Sequence, residues 1–324
     1  MMETTGSLMT PEFITIQKTS TIEDAITYLR KNIKDKTNIH YFYVVDFYNK
    51  LVGVLSFREL LSARGDRLVS EVMTQNPIVF TTEIDQEEAA QVFRDSNLVS
   101  IPVIDEKQRI LGAVHVESIL DVMEQEATED IYKTASVLTS TPDEEGGLLN
   151  ASIGLLYRKR IVWLLILVFM NVFSGAGIAH YEGVIESNIA LVFFLPLLID
   201  SGGNAGAQSS TLIIRAMATG DVQIKDWFKM FTKEISLAAL IGFTMALAVS
   251  TLGLVRGGID IAIIVSLSMT LLVIVGSLIG MSLPFIFKKL NLDPATASAP
   301  LITSICDIIG VLIYFGIAAW YLGF

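Results

Sequence analysis

The sequence predicts a multidomain protein, with an α/β half built from a repeated unit and an all-α polytopic membrane half of five transmembrane helices. Apolar residues make up 52% of the 324 residues, which is too high for a wholly soluble chain of this length. Residues 1–150 carry 13 Lys and Arg against 25 Asp and Glu, whereas residues 151–324 carry 10 against 9. The long charge-free runs are confined to the second half, so the two halves have different surroundings.

The acidic half contains two similar units, at about 1–65 and 66–124. Leu8-Met9-Thr10 is matched by Val72-Met73-Thr74, and Val52-Gly53-Val54 is matched by Leu111-Gly112-Ala113. Each unit predicts a short extended segment, a helix, two apolar strands around a polar turn and a closing helix. Neither unit alone would cover its sheet, so we expect the two to pack as a pair.

This pattern resembles the cystathionine-β-synthase (CBS) repeat, which pairs in tandem into a regulatory module. Many such modules bind adenine nucleotides through a small hydroxyl after the second strand and an Asp three residues later. The corresponding pairs here are Ser56 with Glu59, and His115 with Ser118. Both pairs depart from the pattern, so a nucleotide cofactor is not expected. A dimerising scaffold without a ligand is the open alternative.

The composition also argues against several kinds of partner and cofactor. Basic clusters with interleaved aromatics, which nucleic-acid binding needs, are missing from residues 1–150. The single Cys306 permits neither an internal disulfide nor a zinc cluster. The start MMETTGSLMTPEF lacks the basic and apolar stretches of a signal peptide, so we expect the first half to stay on the side where it is made.

Residues 125–157 are predicted to connect the halves, and residues 158–324 to form the membrane domain. The acid-rich helical composition from Glu117 to Glu145 is broken by Thr139–Pro142 and Gly146-Gly147. Ile161–Ala179 is charge-free and long enough to span a bilayer. We expect a second span, Ile189–Ile199, to be interrupted at Asp200–Gly206 and to resume through Thr211–Met217. The remaining spans are predicted at Ile235–Val255, Ile261–Phe287 and about Ala297–Leu322.

The distribution of Lys and Arg predicts the orientation, because basic residues favour cytosolic loops. One set of loops carries nearly all of them, and the other carries only Arg256. The first set is Arg158, Lys159, Arg160, Arg215, Lys225, Lys229, Lys233, Lys288 and Lys289. The acidic half and the N-terminus are therefore predicted to be cytosolic and the C-terminus outside, in a multi-pass protein of the cytoplasmic membrane surrounded by lipid.

Two polar places within the spans are candidate sites, because ionisable groups inside hydrocarbon are costly unless they line water or find partners. The first is Asp200–Ser210 (DSGGNAGAQSS), whose glycines predict non-helical backbone beside a cavity. A GxxxG-like packing face through Gly202 and Gly206, with Asn204 and Gln208 as interhelical hydrogen-bonding groups, is the open alternative.

The second place is Asp307, whose own predicted helix holds no cationic residue. Thr303 lies one turn before it and Gly310 nearly one turn after it, so a hydroxyl, a carboxylate and an open backbone patch share a face. Mg²⁺ keeps several of its waters, so few oxygen ligands suffice for a hydrated ion. Two chains about a two-fold axis would double the charge. A carboxyl kept protonated by burial is the alternative.

These segments look like the MgtE family of Mg²⁺ channels and transporters. The resemblance is carried by Leu195–Arg215, Leu292-Asp293-Pro294-Ala295 and Pro300–Tyr314, with Glu126–Ile131 resembling the start of the family's connecting (plug) helix. It implies a homodimer with five membrane helices per chain and a pore on the two-fold axis. The pore ligands for transported Mg²⁺ are then expected to be Asp307, Thr303, Asn204 and Gly203.

The resemblance also implies gating by intracellular Mg²⁺. The expected regulatory ligands lie where the CBS pair meets the connector and are Asp121, Glu126, Glu129 and Asp130. Charge gives an independent reason, because the acidic half repels itself unless cations neutralise it; a solvated acidic surface is the alternative. Most family members begin with a further acidic helical domain, which we expect this chain to lack.

Other functions compete with a channel. Asp200 and Asp307 suggest an aspartyl-protease dyad, but the glycine pair follows Asp200 where such proteases have it before the Asp, so an enzyme is not predicted. A secondary transporter or exporter coupled to Na⁺ or H⁺ is the alternative function, which inverted repeats would favour. A membrane-anchored sensor without transport is the third possibility.

Overall fold

The computed structural model describes residues 4–32, 40–137 and 151–324. Contacts divide the chain into two compact units, Met1–Ala127 and Thr128–Phe324. The predicted breaks at Thr139–Pro142 and Gly146-Gly147 lie outside the described residues.

The first unit alternates helices and strands in two similar repeats. The first repeat contains α1 (Thr5–Leu8), β1 (Thr15–Gln17), α2 (Ile22–Asn32), β2 (Tyr41–Val45), β3 (Leu51–Ser56) and α3 (Phe57–Ser62). The second contains α4 (Val69–Val72), β4 (Thr74–Gln75), β5 (Phe80–Thr81), α5 (Gln86–Ser96), β6 (Ser100–Ile104) and β7 (Ile110–His115), followed by α6 (Val116–Thr134). The predicted α/β class of this half is confirmed.

The described strands form two sheets, ordered β1-β2-β3-β4 and β5-β6-β7. In each repeat the entering strand pairs in parallel with the first strand of an antiparallel hairpin. The register shifts at equivalent places in the two hairpins, between Val44 and Val45 and between Val103 and Ile104. Each repeat therefore builds the same sheet from the same pattern, with a core of its own.

The two repeats interlock through the segments that begin them. Strand β4 lies near the start of the second repeat but pairs with β3 of the first, and Thr10 of the first repeat bridges Ala113 in β7. Glycine is required at both contacts, since a Cβ on Gly53 would lie 2.9 Å from the carbonyl of Thr74 and one on Gly112 would lie 2.7 Å from that of Thr10. The matched glycines of the sequence repeat thus permit the two repeats to complete each other.

The second unit is helical. Its helices are α7 (Ile153–His180), α8 (Glu182–Ser187), α9 (Ala190–Ala218), α10 (Trp227–Lys289) and α11 (Ala299–Leu322). Within the described residues, four helical segments are long and apolar enough to cross a membrane, and the one containing α10 is 66 residues long. Its length exceeds a bilayer roughly threefold at 1.5 Å per residue.

Helix α10 is a hairpin of two membrane helices. Gly258 interrupts it with φ 77° and ψ −166°, a conformation open to glycine. On either side the arms pack closely, since a Cβ on Gly253 would lie 2.7 Å from Ala262 Cα and one on Gly242 would lie 2.9 Å from the carbonyl of Thr270. The two arms are therefore antiparallel. Because α10 crosses twice, the four apolar segments account for the five predicted crossings.

The predicted break in the second span is wrong. Helix α9 runs without interruption through Asp200–Ser210, so no non-helical segment precedes Thr211. The glycines serve close packing instead: Gly202 lies against Gly276, and Gly206 against Gly276 and Gly280, of α10, backbone to backbone. Because a continuous helix satisfies its backbone hydrogen bonds internally, this arrangement suits a membrane better than an open loop. The GxxxG-like alternative describes the backbone correctly.

The core of the second unit lies between α9, α10 and α11. The Tyr314 hydroxyl donates a hydrogen bond of 2.8 Å to the carbonyl of Leu191, which fixes α11 against the start of α9. Helix α7 packs on α11, where Gly177 meets Val311, yet none of its residues, all of which the structure describes, is buried within the protomer.

Candidate functional site

Helices α9 and α11 bring the two candidate polar segments side by side. A Cβ on Gly203 would lie 3.1 Å from Thr303 Cγ2, and one on Gly310 would lie 3.5 Å from Ile199 Cγ1. The helices therefore run antiparallel, with residues 199–203 opposite residues 303–310. Asp200 and Asp307 belong to these two facing segments.

Asp307 lies in the middle of the apolar helix α11 and is partly exposed in the protomer. Thr303, also partly exposed, lies one turn earlier and donates its hydroxyl hydrogen to the carbonyl of Pro300 at 2.9 Å. Its oxygen lone pairs remain available to a cation or to an ion's water. A carboxylate and a hydroxyl oxygen thus share one face of the helix.

Helix α9 carries a stripe of exposed polar residues at membrane depth, the polar stripe. Its members are Asp200, Asn204, Gln208 and Thr211, spaced at helical intervals and each exposed in the described protomer. The Asn204 amide donates a hydrogen bond of 2.9 Å to Asp200 Oδ2, which orients that carboxylate. Such a stripe is costly against lipid, so it requires water or a polar partner.

The structure places all four predicted pore residues on α9 and α11. Gly203 is buried beneath Thr303 where the two helices meet, Asp307 is partly exposed one turn after Thr303, and Asn204 is exposed beside Gly203. Asp200 is not among the predicted pore ligands. The helical spacing of residues 200, 204, 208 and 211 is the signal that places it with Asn204.

The four predicted regulatory residues lie along α6. Glu126 accepts a hydrogen bond of 2.7 Å from Gln86 Nε2, and Glu129 pairs with Lys133 at 2.5 Å. Asp121 is exposed. Across residues 4–32, 40–137 and 151–324, no three His, Cys, Asp or Glu side chains come together as a metal site. Regulatory Mg²⁺ binding by these acids stays a prediction.

The end of α6 contacts the membrane helices at a place that the sequence did not predict. Lys133 Nζ lies 2.5 Å from Glu129 Oε1 and 2.5 Å from Asp293 Oδ2, and the Ser136 and Ser298 hydroxyls are 2.6 Å apart. Burial acts to lower the pKa of Lys133, but hydrogen bonds to Asp293 and Glu129 and their charges outweigh it and raise that pKa above its ordinary value. The ammonium therefore stays charged at every physiological pH.

The residues at the expected nucleotide positions are engaged with one another or lie beside a small cavity. Ser56 and Glu59 form a capping box at the start of α3, with the Ser56 hydroxyl 2.7 Å from Glu59 Oε2. His115 lines the cavity together with His40 and Tyr43. Burial lowers the pKa of His115 and raises that of Tyr43 to about 12. The absence of a nucleotide cofactor stays a prediction.

Fold and site define a polytopic membrane protein for cations whose soluble unit is a CBS pair. Residues 195–317 match the family model MgtE, divalent cation transporter, and residues 6–66 and 69–125 match the CBS domain. The magnesium transporter MgtE of Thermus thermophilus is 38% identical over 315 residues, covering 97% of this chain and 69% of that protein. The chain belongs to the MgtE family, which confirms the resemblance drawn from the sequence.

A further relative and two solved structures are also similar to this chain. The magnesium transporter MgtE of Bacillus subtilis is 32% identical over 321 residues, covering 99% of this chain and 70% of that protein. The crystal structure of the soluble part of a magnesium transporter is 38% identical and covers 39% of this chain and 49% of that one, with a TM-score of 0.38. The crystal structure of the cytosolic domain of the Mg²⁺ channel MgtE in complex with ATP is also 38% identical. It covers 37% of this chain and 48% of that one, with a TM-score of 0.36.

Proposed function

We propose that this protein carries Mg²⁺ across the cytoplasmic membrane through a pore formed by two copies of the chain. The main observation in support is the polar stripe of α9, which is exposed at membrane depth on a helix that packs against the Asp307 helix, α11. Relatives named as magnesium transporters support Mg²⁺ as the cargo and a transporter over an enzyme.

The chemistry of the site suits a hydrated divalent ion. Asp307 offers a carboxylate group, while Thr303 and Asn204 offer neutral oxygens, with the Asn204 amide nitrogen turned toward Asp200. Mg²⁺ sheds its waters reluctantly and binds through few carboxylates, so an ion that keeps its water shell would be attracted by charge and oriented by these oxygens. Gly203 contributes by letting α9 approach Thr303 closely.

A second copy of the chain would cover the polar stripe that a single protomer leaves exposed. The polar stripe is exposed in the described protomer, and a second copy across a two-fold axis would enclose it in a water-filled passage. Each copy would supply one Asp307 and one Asp200, giving four carboxylates about the axis. A homodimer embedded in lipid is therefore the assembly that we propose.

We assign regulation to the CBS pair (1–124) and the connector (125–157), and conduction to residues 158–324. From the basic loop residues we infer a cytosolic acidic half and an outside C-terminus. The proposed signal is cytosolic Mg²⁺, which would neutralise the acidic half and the α6 acids Asp121, Glu126 and Asp130, drawing two protomers together. Glu129, the fourth predicted ligand, forms an ion pair with Lys133.

Transport is tested by expression in a bacterium that cannot take up Mg²⁺. We expect the chain to restore growth at low external Mg²⁺, and patch recordings to show currents above the turnover of a coupled carrier. No rescue by a correctly inserted protein would contradict transport. Rescue without channel currents, but dependent on a Na⁺ or H⁺ gradient, would indicate the coupled alternative.

Gating is tested by limited proteolysis of the purified full chain. We expect cleavage in the acidic half to slow severalfold when chelator is replaced by millimolar Mg²⁺, because neutralised acids repel less. A K⁺ control at matched ionic strength separates specific binding from screening. Equal cleavage with Mg²⁺, with K⁺ and with chelator would contradict the regulation.

A further inference from the structure

We propose that Lys133 acts as a built-in cation that fastens the end of α6 to the start of the pore helix α11 without a divalent ion. The Lys133 contact comprises Lys133, Glu129, Asp293, Ser136 and Ser298, all within the second unit. The inference rests on the proposed function only where its effect is measured as transport. It adds a fixed restraint to the Mg²⁺-dependent closure of the acidic half.

The ammonium occupies the position of a bridging cation. Its nitrogen lies 2.5 Å from one oxygen of each carboxylate, and the side chains of Lys133, Glu129 and Asp293 are only 28%, 32% and 36% exposed. Charge-assisted hydrogen bonds of this kind are stronger than neutral ones. Glu129 lies in the same helix as Lys133, whereas Asp293 is 160 residues away along the chain. The contact therefore ties two distant elements together.

Both partners in the membrane unit control how α11 begins. Asp293 Oδ1 caps the short 3-10 helix Pro294–Thr296 by accepting from the Ala295 backbone at 2.8 Å, while its other oxygen holds Lys133. Ser298 caps α11, accepting from the Leu301 backbone at 3.4 Å, and its hydroxyl meets that of Ser136. The Lys133 contact thus reaches the two caps that precede Asp307.

The same loop is also attached to α9. The Ser210 hydroxyl donates a hydrogen bond of 3.1 Å to the carbonyl of Ala297, between the two caps. A displacement of the loop would consequently act on both helices that carry the candidate site. This gives the end of α6 a direct physical connection to the polar stripe and to Asp307.

The backbone conformation at the end of α6 indicates that Ser136 is there for its hydroxyl group. The helix closes with hydrogen bonds from Ser136 N to the Lys133 carbonyl and from Val137 N to the Tyr132 carbonyl, and Ser136 has φ 56°. Glycine is the residue favoured at this left-handed position. Ser136 is 7% exposed and Ser298 is fully buried, so the serine hydroxyl is used inside the contact.

A divalent ion does not fit this position while Lys133 is present, because the ammonium already occupies the space between the carboxylates. Without the ammonium, two carboxylates remain that a Mg²⁺ ion could bridge, since Mg–O distances are about 2.1 Å. The wild-type contact should therefore be indifferent to Mg²⁺. Removing the lysine charge should make it depend on Mg²⁺.

The test uses the full chain carrying Ser136→Cys and Ser298→Cys, with disulfide formation measured after proteolytic cleavage between the two positions. We expect equal cross-linking in chelator and in Mg²⁺ for the otherwise wild-type chain and for Lys133→Arg, which keeps the charge. Lys133→Met should cross-link severalfold less in chelator and recover in Mg²⁺. Mg²⁺-dependent cross-linking with Lys133 present, or full cross-linking of Lys133→Met in chelator, would overturn the proposal.

A transport arm separates this inference from the proposed function. In proteoliposomes without Mg²⁺ on the cytosolic side, Lys133→Met and Ser136→Gly should pass Mg²⁺ severalfold faster than wild type. The glycine variant suits the helix end better and so controls for misfolding. If a variant loses the cross-link but keeps the wild-type Mg²⁺ flux, the proposed effect of the Lys133 contact on the pore is wrong. If neither the wild type nor any variant passes Mg²⁺, the proposed transport function is contradicted, and the cross-linking result still tests the Lys133 contact.

Discussion

Asp307→Asn is expected to lower Mg²⁺ uptake by about tenfold or more, where a tenfold change corresponds to about 1.4 kcal/mol. The substitution keeps the size of the side chain and removes its charge. At an effective dielectric constant of about 20, a divalent cation about 5 Å from a carboxylate gains on the order of 7 kcal/mol. Losing only a fifth of that attraction would therefore produce the expected effect.

The measurement is growth at low external Mg²⁺ together with initial uptake in proteoliposomes. Asp260→Asn is the matched control, because this carboxylate lies in the same unit and contacts the Tyr321 hydroxyl at 3.3 Å, away from the polar stripe. We expect the control to rescue growth like wild type. Rescue by Asp307→Asn equal to that of the control would remove Asp307 from the pore.

The sequence predicted the parts of the fold that repeat or that run long. Matched glycines at 53 and 112 identified the two units, and long apolar runs located the five crossings. Asp307 was found because a lone carboxylate in an apolar helix has few structural reasons to be there. These features are local, so a short window of sequence contains them.

The error in α9 arose because its glycines depend on a distant partner. Gly202 and Gly206 would weaken a helix in water, but Gly276 and Gly280 lie opposite them, more than 70 residues later in the chain. Only the pairing of the two glycine sets shows that the helix continues. The polar stripe becomes visible once helical spacing is extended through residues 200–211.

The Lys133 contact was missed for a similar reason, since it joins residues 160 positions apart. A signal was present, because Lys133 is the only Lys or Arg between Arg109 and Arg158, within a strongly acidic stretch. A single positive charge among acidic residues cannot be assigned a partner from sequence spacing alone. The position of Asp293 beside Pro294 indicates the start of a helix but does not identify Lys133 as the partner of Asp293.

Gly280→Ala is expected to destabilise the membrane unit by about 1–3 kcal/mol, the range for overpacking a tight contact. The new methyl group would overlap the carbonyl oxygen of Gly206 and lie 2.7 Å from Gly206 Cα. Because these are backbone atoms, no side-chain rotation relieves the clash, and α9 and α10 must move apart. Each kcal/mol corresponds to about 2–4 °C in the melting temperature of a domain of this size.

Gly175→Ala is the matched control, since it makes the same change in a membrane helix where a Cβ would meet nothing within 4 Å in the protomer. Thermal unfolding in detergent should show the Gly280 variant melting several degrees below wild type and the control melting at or above it. Similar melting temperatures for the two variants would contradict the close packing of α9 on α10.

Comparing stability with uptake separates packing from conduction. Gly280→Ala should lower both, because the polar stripe is held in place by the approach of α9 to α10. Asp307→Asn should lower uptake without lowering the melting temperature, since removing a partly buried charge relieves a desolvation cost. If Asp307→Asn instead lost stability and uptake together, its carboxylate would be a structural partner, and the charge that attracts the ion would have to be sought at Asp200.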